Sequence, residues 1–184
     1  MEQRNFFEKI LFGGGVLFDF FKWVSLCIIA VILINTYWVA VFIVDGESMY
    51  PNLKDKELVL WERNTYKEDG MAPGRGDIVI VRYPGDPKNK KYVKRLIGLP
   101  GEKVSIRGGS VYINNQLLKE KYLSYDLETD PGGEWKLGSN EYFILGDNRP
   151  NSNDSRYFGP VEKRFLLGRA LSIVFPRFLI VQDM

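Results

Sequence analysis

Residues 104–118 read Val-Ser-Ile-Arg-Gly-Gly-Ser-Val-Tyr-Ile-Asn-Asn-Gln-Leu-Leu. Short alternating runs are broken by Gly108-Gly109 and Asn114-Asn115, two dipeptides suited to two-residue hairpin turns, so the stretch predicts consecutive antiparallel strands. The same pattern repeats outward from it. Apolar residues gather at Glu57 to Trp61, Asp77 to Tyr83, Lys91 to Ile97, Lys103 to Ile106, Ser110 to Ile113, Glu141 to Leu145 and Leu167 to Phe175, in runs short for helices and without helical spacing. Gly74-Arg-Gly76, Pro84-Gly85, Leu99-Pro-Gly101 and Pro131-Gly-Gly133 punctuate them. Seven or eight strands and a mainly β, antiparallel domain follow. The segments Asn64 to Arg75 and Tyr122 to Asn140 read as surface loops.

The N-terminal part is different. From Trp23 to Val44 there are 22 residues without Asp, Glu, Lys or Arg. As a helix this run is roughly 33 Å long, the thickness of a bilayer's hydrocarbon core. A cleavable signal sequence has a shorter apolar stretch and a small-x-small cleavage site, and neither is evident. The expectation is a short tail and a single transmembrane helix, about residues 20–40, within 1–44, followed by a β-rich domain at 45–184. Trp23, Tyr37 and Trp38 suit interfacial anchors; a helix ending near Trp38 leaves Val39 to Val44 as a strand. Cys27 then lies in lipid. Arg4, Lys9 and Lys22 on one flank match Lys54, Lys56 and Arg63 on the other, so charge does not orient the helix.

The composition removes much chemistry. The 184 residues contain no histidine and one cysteine, which excludes a Ser-His-Asp triad, a Cys-His pair, a His-ligated zinc and an intrachain disulfide. A net charge of +2 gives no reason to expect a nucleic-acid partner. A hydrolase built from what remains needs paired carboxylates, an acid-bound metal, or a hydroxyl nucleophile with a lysine base. Ser48 follows the apolar segment, between Gly46 and Pro51, where the plain reading is a turn. Lys94, in Lys-Tyr-Val-Lys-Arg-Leu-Ile at 91–97, shares a strand face with Tyr92 and Leu96. An apolar setting there would lower its pKa and supply a neutral amine. Periodicity alone favours an edge-strand lysine with its ammonium in water, since Val93 and Ile97 make the opposite face apolar too. The polar stretch Gly146 to Gly159 reads as a solvated loop by composition, or as a hydrogen-bonded platform under a site.

Four motifs, in order, give the chain a family resemblance: Ser48-Met-Tyr-Pro-Asn-Leu, Gly76-Asp-Ile-Val-Ile-Val, Lys94-Arg-Leu-Ile-Gly-Leu-Pro-Gly-Glu, and Gly146-Asp-Asn-Arg-Pro-Asn-Ser-Asn-Asp-Ser-Arg. The chain resembles the bacterial type I signal peptidases, membrane-anchored Ser-Lys proteases that remove signal peptides from exported proteins. The resemblance implies the catalytic fold shared with self-cleaving repressor-type peptidases. It implies Ser48 as nucleophile and Lys94 as general base, with Ser152 hydrogen-bonded to the Lys94 amine. Asp154 with Arg156, and Asp147 with Arg95, become supporting ion pairs. Gly46 stands where some members carry an oxyanion-hole serine, which leaves the second oxyanion donor unnamed; Asn52 and Pro150 depart from the pattern at positions read as tolerant. Val44, Met49, Tyr92 and Val93 are expected to line the pocket for the small residue at −1, and Phe42 and Val93 that for −3.

By resemblance the partners are signal peptides of preproteins and the lipid bilayer, with no cofactor, metal or nucleic acid. The location is the bacterial cytoplasmic membrane, single-pass, with the catalytic domain on the outer face. Archaeal and endoplasmic-reticulum relatives use histidine in place of the lysine, which puts this chain on the bacterial side. The extra β-subdomain of larger members is expected to be absent or small. Two other readings stay open. One is a Ser-Lys peptidase dedicated to a single substrate such as a pilin or conjugation protein; the other is a non-catalytic, membrane-anchored β binding module. A self-cleaving repressor is disfavoured because no helix-turn-helix or basic patch is evident.

Overall fold

The structure, a computed structural model, describes residues 15–67, 70–83, 85–123 and 127–181, with the side chains of 16, 17 and 34–37 left out. The expected tail, with Arg4 and Lys9, lies outside the described residues, as do parts of both expected loops and the side chain of Tyr37. The chain divides into two compact units, Met1–Trp38 and Val39–Met184.

In the first unit, helix α1 spans Val16–Tyr37. Its described apolar side chains are exposed around the helix, among them Phe20, Phe21, Trp23, Ile28, Ile29, Val31 and Ile32. Asp19 and Lys22 pair with each other at 2.8 Å, one turn apart. No helix among the described residues is long and apolar enough to cross a membrane.

The second unit is antiparallel β throughout its pairings. Strand β1 (Val39–Ile43), which the sequence division at 44/45 assigns to the anchor segment, belongs to this unit and pairs along its length with β2 (Leu58–Arg63). The remaining strands are β3 (Ile78–Arg82), β4 (Lys91–Gly98), β5 (Lys103–Arg107), β6 (Ser110–Ile113), β7 (Gln116–Leu117), β8 (Gly133–Lys136), β9 (Glu141–Leu145), β10 (Val161–Glu162), β11 (Leu166–Phe175) and β12 (Leu179–Ile180). A one-turn helix, α2 (Ser155–Phe158), precedes β10. The larger sheet runs β1-β2-β11-β3-β4-β9-β10, with β12 on β11, and the smaller runs β7-β6-β5-β8.

The meander is where the sequence puts it. Arg107 faces Ser110 across Gly108-Gly109, and Ile113 faces Gln116 across Asn114-Asn115, whose positive φ angles of 50° and 68° are those of a tight hairpin turn. The expected loop 122–140 is the main local miss. It contains β8, which pairs Gly133–Lys136 with β5; Glu134 and Lys136 point outward, so no apolar run announces it.

Three apolar clusters fill the domain, and β4 feeds all of them. Val93 enters a cluster with Val44, Met49, Leu53 and Val59. Leu96, with Tyr92 packed alongside, joins Val81, Ile144 and Val161. Ile97 joins Val104, Ile106 and Phe143 between the two sheets. A strand with core on both faces and neighbours on both edges is an interior strand, which removes the edge-strand reading of Lys94.

Candidate active site

Ser48 sits in the turn that follows β1. Val44 and Glu57 continue the ladder, Val44 N–H donating to Glu57 O at 2.9 Å; the chain then coils through 47–53, with Tyr50 N–H donating to Glu47 O and Leu53 N–H to Met49 O. Met49 and Leu53, both fully buried, bolt this coil to the core and leave Ser48 half-buried at the surface. Gly46 has φ +97° and donates its N–H to Asp55 Oδ1 at 2.7 Å. A serine here takes on a backbone conformation that L-residues rarely adopt, which accounts physically for glycine at this position.

Lys94 reaches the same point from β4. Its Nζ lies 2.6 Å from Ser48 Oγ, although the residues are 46 apart in sequence. The side chain is buried, and burial pushes the amine down from 10.5 to about 8; Asp154 and Asp147 pull it back up and Arg156 pushes it down. Desolvation wins because the two carboxylates already have arginine partners.

Those partners form the floor of the site, so the polar stretch is a buried platform and not a solvated loop. Arg95 grips Asp147 with two hydrogen bonds of 2.8 and 2.7 Å and donates to Gly76 O at 3.0 Å. Asp154 caps α2 and accepts from Arg156 Nε and Nη2, each at 2.8 Å, and from Gly146 N–H at 3.0 Å. Both pairs are almost wholly removed from solvent. Asn148 ties the platform to the Ser48 turn: its N–H donates to Ser48 O and its side chain to Glu47 O, both at 3.0 Å. Gly146 is required by close approach, since a Cβ there would lie 2.2 Å from Ser152 Oγ and 2.4 Å from Ser48 O.

Ser152 departs from expectation. Its hydroxyl is buried beside Gly146 but makes no hydrogen bond, to Lys94 or to any other described residue. The expected pocket residues also separate. Tyr92 lines the open cleft beside the serine and lysine, whereas Val44, Met49 and Val93 are 1%, 0% and 5% exposed within the core and Phe42 packs against them. They form a closed wall because β1, β4 and the 47–53 coil interlock there.

Two contributors escaped the sequence reading. Asn52, read as tolerant, donates to Asp147 Oδ2 at 2.8 Å and to Tyr122 O at 2.9 Å, while Tyr122 lies under the Arg95 guanidinium at 3.9 Å. Arg149, fully buried, pairs with Glu120, bonds Thr129 Oγ1 at 2.5 Å and donates to Gly146 O at 3.1 Å. The motif contains Arg149, but nothing local marks Glu120 or Thr129 as its partners. Among the described residues no group of three or more Cys, Asp or Glu side chains is placed to hold a metal.

A serine and a lysine from separate elements thus meet over a platform of buried ion pairs. The family described as signal peptidase, peptidase S26, matches residues 17–175. The chain belongs to that family. It is 39% identical over 169 residues to a signal peptidase I of Bacillus licheniformis, covering 85% of this chain and 89% of that one. It is 38% identical to signal peptidase I S of Bacillus subtilis strain 168 (84% and 89% covered) and 32% identical to a signal peptidase I of Leptolyngbya laminosa (87% and 80%). As an S26 family member it is a serine peptidase, a hydrolase of peptide bonds.

Proposed function

We propose that this S26 peptidase removes signal peptides from exported preproteins, cutting after a small residue through Ser48 and Lys94. The observation that carries the reading is the 2.6 Å approach of a buried, pKa-lowered Lys94 amine to Ser48 Oγ. Neutral Lys94 takes the Ser48 proton as Oγ attacks the scissile carbonyl, giving a tetrahedral oxyanion. The lysine then passes that proton to the departing amine, leaving an acyl-enzyme on Ser48. Water, deprotonated by the neutral Lys94 amine, attacks the acyl carbonyl; Lys94 returns the proton to Ser48 Oγ as the signal peptide leaves with a free carboxylate.

The Arg95–Asp147 and Arg156–Asp154 pairs are supports that hold both carboxylates neutralised, so Lys94 is not pinned as an ammonium. The backbone N–H of Ser48 is the first oxyanion donor; each such donor is worth roughly 3–4 kcal/mol in the transition state. Ser152, whose buried hydroxyl lies beside Gly146 without a partner, is assigned to orient the Lys94 amine once substrate is bound. The edge position of β1 suits main-chain pairing with an extended substrate.

The chain acts from the bacterial cytoplasmic membrane, held by its apolar N-terminal segment, with the β-domain on the outer face. Support comes from the uncharged run 23–44 and from the apolar side chains exposed around α1, a pattern that needs an apolar surrounding. The deciding experiment is cleavage of a preprotein by the full chain in detergent beside Ser48→Ala and Lys94→Ala, each checked for folding by circular dichroism. Wild type releases a mature product cut after a small residue and both folded variants lose activity by about 10⁴-fold or more; equal cleavage by either variant refutes the Ser-Lys mechanism.

A further inference from the structure

The two faces of β4 differ in what they offer a substrate. On the Val93 face, Val44, Met49 and Val93 close the wall beside Ser48. On the face shared by Tyr92, Lys94 and Leu96 a cleft of about 220 Å³ opens, and it contains both Ser48 and Lys94. Its floor is Val81, Ile144 and Val161, buried members of one apolar cluster; Tyr83 and Phe158, with rings 4.5 Å apart, form its far wall, and Asn151 and Asn153 its rim. The nucleophile and base use one corner of this space. The apolar floor beyond Lys94 takes no part in the chemistry described above.

The direction of the reaction assigns that remainder. Lys94 must hand its proton to the departing amine, so the leaving nitrogen lies on the Lys94 side of Ser48 Oγ, and the chain that follows it runs on past Nζ. That path enters the cleft. A small residue before the cut suits the closed wall, whereas a larger apolar side chain finds room and desolvated contact only on the other side. We propose that the cleft floored by Val81, Ile144 and Val161 is a leaving-side subsite, which receives an apolar side chain from the first or second residue of the released mature protein. The inference rests on the Ser48–Lys94 reading and adds a specificity on the product side of the bond.

Internally quenched peptides with alanine at −1 and −3, carrying Leu, Ser or Asp at +1 and, in a second series, at +2, test it with the full chain in detergent. At one of the two positions Leu exceeds Ser by roughly tenfold in kcat/KM, the usual scale for an apolar pocket. Phe158→Ala, which removes the far wall, and Asn153→Trp, which fills the cleft from its exposed rim, both bring that ratio below threefold. Ratios near one at both positions in the wild type, or a Leu preference that neither variant reduces, overturn the subsite. So does efficient cleavage after Leu at −1, which would put the acyl side in the cleft. If the wild type cuts no peptide, the Ser48–Lys94 reading falls first and takes the subsite with it.

Discussion

Lys94 bears an electrostatic cost that the proposed chemistry requires. Unfolded, it keeps its proton up to about pH 10.5; folded, burial lets it go near 8. Between those values folding sheds a proton and stability rises with pH, while below 8 the whole cost of burying the ammonium, about 3 kcal/mol, is present. Lys94→Met is therefore expected to unfold at higher denaturant than wild type at pH 7, by up to that amount, while losing cleavage. Above pH 10.5 the two should converge. The same shift sets the activity profile: kcat/KM rises with pH on a single limb centred near 8, as the neutral base accumulates. A limb near 10 would mean an exposed amine. Periodicity alone favours a solvated edge lysine over a buried base here, because alternation tells which face a residue is on and not what covers that face.

At the scale of elements, the site is a junction of the 47–53 coil, strand β4 and the 146–159 platform. The platform is held on its far side as well. Arg149 reaches through it to Glu120 and Thr129, residues of the segment that joins β7 to β8 of the smaller sheet, and Arg156 donates to the carbonyl of Asp130. Removing one member of a buried ion pair strands the other, at about 3–5 kcal/mol. Arg149→Met is expected to cost about that in chemical denaturation, and Arg149→Met with Glu120→Leu should recover most of it, since an apolar pair leaves no buried charge unmatched. If the double substitution is as unstable as the single one, the Glu120 contact is not what Arg149 supplies. This latch joins residues 29 apart, and no periodicity connects them. The strands were more legible: the 104–118 meander carries its turns in its own residues, whereas β8 is held by pairing with β5 and has almost no signal of its own.

The whole molecule couples an apolar helix to a self-contained β-domain, whose pairings all fall between Val39 and Ile180. If α1 is the anchor, alkaline carbonate should leave the full chain with the membrane fraction and release a chain begun at Val39, which keeps its β-type circular dichroism. Release of the full chain under the same wash would rule out a spanning helix. The division falls at 38/39 because β1 carries its hydrogen bonds to β2, and a strand committed to a sheet cannot continue a helix.

Read by itself, the sequence determined the antiparallel β character, the meander and its turns, the uncharged N-terminal run, and the exclusion of histidine, disulfide and triad chemistry. These follow from local periodicity, turn propensity and composition, each encoded in neighbouring residues. The family motifs named Ser48, Lys94 and the Asp and Arg residues of the platform. Only the tertiary structure decided that Lys94 is buried beside Ser48, that the polar stretch lies under the site, that Asn52 and Arg149 brace it, and that the open cleft lies on the Tyr92 face of β4. Burial and ion pairing are made by segments distant in the chain, and their energies exist only once those segments have met.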